Sequence, residues 1–129
     1  MSKERFEKGR KIREEVLGRE RVVKALDQAD AFNRDFQEIL TEYCWGASWG
    51  RDGLSRPQRS LLNLGMLAAL NRPQEFELHF RAAIGNGLTK AELQDALIQI
   101  AIYCGVPAGV EAFRIASKVL AEPGISLPK

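Results

Sequence analysis

His79 is the only histidine in the chain, and an imidazole at the margin of an apolar helix stripe can titrate near neutrality and move a proton. Phe76 stands three residues before it and Ala83 four after, which sets it at that margin. A structural, hydrogen-bonded histidine fits the same pattern, so position alone leaves both roles open. Arg81 offers a guanidinium fork that suits a carboxylate, yet it lies about 200° further round the helix. His79 and Arg81 therefore cannot both face one pocket inside a single subunit. A surface ion pair between Arg81 and Glu77, at i−4, is the simpler alternative.

"EYCWGASWG", residues 42–50, gathers Glu42, Cys44, Trp45 and Trp49 at a helix end. Aromatics with a polar handle suit a ligand wall and a subunit contact equally. Glu42 follows Glu38 by one turn, and that pair can be merely exposed. Cys104 continues the line Leu93, Leu97, Ile100, which reads as a small buried hydrophobe. Its place between one helix end and the next helix start gives a second option, in which free amides polarise the thiol or bind an anion. Sixty positions separate Cys44 from Cys104, no further cysteine or nearby histidine completes a tetrahedral zinc set, and both are expected to be free thiols.

The elements that must position these residues read as helices throughout. Residues 4–17 form a charged, weakly amphipathic helix stopped by Gly18, and Val22, Val23, Leu26 and Ala29 continue a short second stripe. Phe32, Phe36, Ile39, Leu40 and Tyr43 share one helical face ending near Gly46. Turn signals at Gly50, Asp52-Gly53 and Pro57 break the chain, and Ser55 is placed to cap the next helix. From Leu61 to Leu70 the segment is apolar almost all round, as expected of a helix enclosed by others. Pro73 opens the His79 helix, "GNG" at 85–87 closes it, and Thr89 with Glu92 has capping-box spacing. Pro107 opens the last helix, with Val110, Phe113, Ser117 and Leu120 expected inward and "EPG" as its stop. No strand-like alternation or internal repeat appears. The expectation is an all-α chain of about six helices, divided as an N-terminal arm (1–31), a main domain (32–120) and a tail (121–129).

Composition narrows the function classes. In 129 residues, 45% are apolar and 28% charged, a globular balance for one core. The net charge of +2 arises largely where Lys, Arg and Glu interleave near the N-terminus, which reads as a solvated helix face and not a nucleic-acid site. Charged residues interrupt every candidate signal-peptide core, and no apolar run approaches the roughly 20 residues of a membrane span. A cytoplasmic protein without nucleic-acid or membrane partners is expected.

The phrases "EYCWG" and "RSLLNLGMLAALNRPQEFELHFRAAIGNGLTKAELQDALIQIAIYCGVPAGVEAF" resemble the 4-carboxymuconolactone decarboxylases over about residues 32–120. The resemblance implies an alkylhydroperoxidase D-like helical fold whose small subunits assemble into rings, trimers or hexamers. It also implies loss of CO2 from 4-carboxymuconolactone, a lactone dicarboxylate, to give 3-oxoadipate enol-lactone in protocatechuate catabolism, without a cofactor or metal. His79, Glu42 and Cys104 are then the candidate catalytic residues, and Arg81, Trp45 and Trp49 the candidate substrate-binding ones. The wider superfamily includes peroxidases with a Glu, eleven residues, Cys, two residues, Cys, three residues, His motif. Glu92 and Cys104 fit it, whereas Pro107 and Glu111 occupy the second Cys and the His positions. Dithiol chemistry would need Cys44 as a substitute partner, and a noncatalytic helical binding module is the further alternative.

Overall fold

A computed structural model describes residues 2–127. Seven α-helices follow in order: α1 (Lys3–Leu17), α2 (Arg19–Asp27), α3 (Arg34–Leu40), α4 (Arg56–Ala69), α5 (Pro73–Gly85), α6 (Lys90–Cys104) and α7 (Val106–Leu120). A π-helical segment, Thr41–Ser48, continues α3. The described residues contain no strand, and no helix among them is long and apolar enough to cross a membrane. Contacts divide the chain into two compact units, 1–54 and 55–129.

Local chemistry explains the helix ends. Ser55 accepts from the Gln58 N–H while the Gln58 side chain accepts from the Ser55 N–H, and Thr89 and Glu92 reciprocate in the same way before α6. Each box satisfies two donors that a helix start leaves orphaned. Gly18 and Gly105, at φ 96° and 103°, make the single-residue joints α1–α2 and α6–α7, a backbone geometry that strains any side chain.

The first unit is held by an unusually close approach. A Cβ on Gly9 of α1 would lie 2.0 Å from the Thr41 carbonyl oxygen, so backbone meets backbone between α1 and the π segment. The register of that segment shows in the Trp49 N–H, which donates to the Cys44 carbonyl five residues back at 3.0 Å. Such i→i−5 turns occur mostly as short insertions, often where function demands an altered side-chain direction. Here the segment turns Thr41, Glu42, Trp45 and Gly46 inward.

In the second unit Leu64, Phe76, Phe80, Ile84, Leu88, Leu93, Leu97, Ile100, Ile115 and Val119 form one apolar core with Ala83, Ala112 and Ala116. Each large side chain buried there stabilises the fold by about 1.5–3 kcal/mol.

Four expectations are corrected. Helix α7 turns Gly109, Ala112, Ile115, Ala116 and Val119 inward and leaves Val110, Phe113 and Ser117 exposed. The reason is Gly109, whose Cβ would come within 2.4 Å of the Ala101 Cβ; only the small-residue face allows that approach. Helix α4 is not enclosed, because Leu62, Met66 and Leu70 face outward. Phe32 lies in the turn before α3, Phe36 and Ile39 on α3 and Tyr43 on the π segment, and all four are exposed, Phe32 almost fully at 97%. Cys104 is exposed as well, since α6 ends there and its last turn projects past the core.

Candidate functional site

Within the first unit, the π segment carries the polar residues. Glu42 is completely buried. Its Oε1 accepts from the Ser2 backbone N–H at 2.8 Å and from Arg5 Nη1 at 3.3 Å, while Oε2 has no hydrogen-bond partner among the described residues. Arg5 also lies over the Tyr43 ring, 5.7 Å from its centroid, a cation–π contact. Arg13 donates through Nη1 to Gln37 Oε1 and Thr41 Oγ1, each at 3.1 Å. Burial lowers its guanidinium pKa, and the neighbouring Cys44 works against that shift. Trp45 and Trp49 are buried and touch, with ring centroids 4.9 Å apart and planes tilted by 31°. Glu42 and the two indoles thus share one short segment, which supplies a dry aromatic wall and one carboxylate.

In the second unit His79 is half-buried on α5, and its Nδ1 lies 3.4 Å from Asn63 Nδ2 on α4. Burial pushes its pKa below the ordinary imidazole value, and Glu75, one turn earlier, opposes the shift only in part. The shift favours the uncharged ring, and where the Asn63 amide donates to Nδ1 the ring proton is on Nε2.

Arg81 turns away from His79. Its Nε donates to Glu122 Oε2 at 3.0 Å, its Nη2 bonds Glu122 Oε1, and the same nitrogen reaches Glu77 Oε2 at 3.1 Å. Lys118 Nζ holds the other Glu77 oxygen at 3.0 Å. The hydrogen bonds that Arg81 donates to Glu122, then to Glu77, raise its pKa, and both carboxylates are shifted down by their cationic partners. A free carboxylate ligand has to displace Glu122 to gain the bidentate fork.

Cys104 lines a groove of about 340 Å³ with Arg72, Phe76, Pro107 and Glu111. Glu111, at the position where the peroxidase motif has histidine, is paired with Arg114 at 2.6 Å and 2.9 Å. Glu92 serves its capping box, and both cysteines are free thiols.

His79 and Arg81 thus share α5 and face different partners, Glu42 joins the aromatic pair on the π segment, and Cys104 stands in its own groove. Sequence reasoning did not anticipate Asn63, Arg13 or Glu122 as partners. Asn63 interrupts the apolar run 61–70 and so carried a signal. Glu122 sits inside the helix-stop "EPG", where a turn was explanation enough.

The Carboxymuconolactone decarboxylase family matches residues 34–118. A nitrosuccinic acid decarboxylase, npaB of Metarhizium robertsii, is 44% identical over 115 residues, covering 89% of this chain and 80% of that protein. A 4-carboxymuconolactone decarboxylase of Acinetobacter baylyi is 38% identical over 126 residues, 98% of this chain and 94% of its own length. With a family match across most of the length and a relative similar almost end to end, the chain belongs to the carboxymuconolactone decarboxylase family.

Proposed function

We propose that the chain is a carboxy-lyase that removes CO2 from 4-carboxymuconolactone, giving 3-oxoadipate enol-lactone in protocatechuate catabolism. The observation that carries this reading is the similarity, over 98% of the chain, to a decarboxylase of that substrate. The chemistry requires no cofactor. As the bond to the departing carboxylate breaks, its electron pair runs through the ring double bond into the lactone carbonyl, and the resulting dienolate takes one proton at the carbon beside that carbonyl. The substrate is its own electron sink. The protein has to hold the spectator carboxylate, desolvate the one that leaves and stabilise the oxyanion until it is protonated.

His79 suits the last task, because an imidazole N–H can donate a hydrogen bond to the oxyanion as it forms. Arg81 suits the first when it comes from an adjacent subunit, exchanging Glu122 for the substrate's spectator carboxylate. Cys104 acts as groove wall.

A second substrate is favoured by the 44% identity to a nitrosuccinic acid decarboxylase. The logic is the same: a nitro group in place of the lactone carbonyl receives the electron pair, as a nitronate, when the carboxylate on its carbon leaves. The test compares CO2 release from freshly generated 4-carboxymuconolactone and from nitrosuccinate, with no cofactor or metal added, for wild type and His79→Gln. Faster release from the lactone, reduced roughly 10²- to 10⁴-fold in His79→Gln, is expected. Preference for nitrosuccinate reassigns the substrate, and no release above the spontaneous rate from either, by folded protein, refutes the decarboxylase reading.

A further inference from the structure

Asn63 breaks the apolar run of α4 between Leu62 and Leu64, at a place where leucine would favour the helix more. The residue is half-buried, and taking an amide out of water is unfavourable unless it is hydrogen-bonded. Its side chain has one hydrogen-bond partner among the described residues, His79, whose Nδ1 lies 3.4 Å from the amide nitrogen. One turn earlier on α4, the buried Ser60 hydroxyl accepts at 2.8 Å from the amide of Asn86, the residue that ends α5. A second polar contact thus ties the same two helices and holds Asn63 beside the ring.

We propose that Asn63 is a positioning residue for His79: its amide donates to Nδ1, keeps the ring proton on Nε2, and so makes the imidazole a hydrogen-bond donor toward the oxyanion left as CO2 departs. A neutral imidazole has one donor and one acceptor nitrogen, so the nitrogen that faces an N–H must be the acceptor. Burial favours that neutral ring, with Glu75 opposing it in part, and only the neutral ring has an acceptor to offer. An aspartate in place of Asn63 would accept from Nδ1–H and turn Nε2 into a base, the arrangement of a hydrolytic triad. Decarboxylation has no proton to abstract. It needs a donor fixed where negative charge develops, and an amide at residue 63 supplies the matching tautomer where a carboxylate would supply the opposite one. The oxyanion part rests on the carboxy-lyase reading above, whereas the tautomer does not.

Because His79 is the only histidine, a long-range proton–nitrogen correlation spectrum of the untagged, isotopically labelled chain reads a single ring. It is recorded at about pH 8, above the ordinary imidazole pKa. The wild type is expected to show an unprotonated Nδ1 and a protonated Nε2. Asn63→Asp should reverse that pattern, and its kcat and kcat/KM for CO2 release from 4-carboxymuconolactone should fall together, roughly 10²- to 10³-fold. Asn63→Leu continues the aliphatic run and so preserves the helix; it should give a mixture of tautomers and a smaller loss. A wild-type ring protonated on Nδ1, with the Asn63 oxygen as acceptor, overturns the proposal, as does a wild-type pattern that persists in both folded variants. An altered tautomer with unchanged kcat overturns the positioning role. An amide that serves structure alone would shift the urea midpoint and leave tautomer and kcat as they are, which also refutes it. If the wild type releases no CO2, the carboxy-lyase reading fails while the spectrum still decides the tautomer.

Discussion

Gly9→Ala should destabilise the first unit, although the same exchange in an ordinary helix interior stabilises by about 1 kcal/mol. The new Cβ would stand 2.0 Å from the Thr41 oxygen and 2.7 Å from the Gly46 nitrogen, whereas ordinary contact begins at 3.4 Å. Both obstacles are backbone, so neither can rotate away, and α1 has to retreat by about 1.4 Å (3.4 minus 2.0). That retreat would stretch the Ser2–Glu42 bond from 2.8 Å and the Arg13–Thr41 bond from 3.1 Å beyond hydrogen-bond range. Stripping partners from buried charges costs about 3–5 kcal/mol, leaving a net loss of about 2–4 kcal/mol after the helix-propensity gain and a fall in Tm of roughly 10 °C. Urea unfolding followed by tryptophan emission reads this directly, because Trp45 and Trp49 are the only tryptophans in the chain and both are buried. Gly65→Ala is the control. Nothing lies within 4 Å of a Cβ there, so it should stabilise by about 0.5–1 kcal/mol. A Gly9→Ala protein as stable as Gly65→Ala, with wild-type emission, refutes the backbone contact and the burial of Glu42 argued from it.

Three further outcomes are expected. Burial depresses the His79 pKa, so below the unfolded value of about 6.5 the unfolded chain binds a proton that the folded chain resists; stability should fall as pH drops through 6.5 toward the depressed folded value, then level off. Urea midpoints between pH 8 and 4.5 should show that slope in wild type and its loss in His79→Gln, and an equal slope in both would assign it to other groups. Arg81→Met should raise KM more than it lowers kcat if the guanidinium holds the spectator carboxylate, while Glu122→Gln, by freeing the fork, should lower KM; steady-state kinetics that leave KM unchanged in both would remove Arg81 from substrate binding. Ser55→Ala, which deletes half of a capping box, should cost about 1 kcal/mol in thermal or urea unfolding, and a neutral result would mean that α4 starts elsewhere.

Much of the fold was legible because its signals are local. Helix ends at Gly18, Ser55, Pro73, Thr89 and Gly105 depend on caps, fixed φ and left-handed glycines within a few residues of one another. The opposed directions of His79 and Arg81 also follow from 3.6 residues per turn, and the Glu77–Arg81 pair is an i,i+4 neighbour. Family resemblance was legible for the same reason, since it resides in contiguous phrases.

Residue order alone thus specifies an all-α chain, the places where its helices stop, and the phrases that carry its family resemblance. Packing in three dimensions chooses which face of each helix is inside. Helix α7 offers a Gly109–Ala112–Ile115–Ala116–Val119 face and a Val110–Phe113–Ser117–Leu120 stripe, and periodicity alone ranked the second as core. The choice went to the first, whose Gly109 lets the helix cross α6 closely at Ala101. Packing likewise buries Glu42 against the start of α1 and fills the Arg81 fork with Glu122, forty-one residues away. Such partners come from distant parts of the chain, and neither propensity nor spacing carries information about contacts made across space.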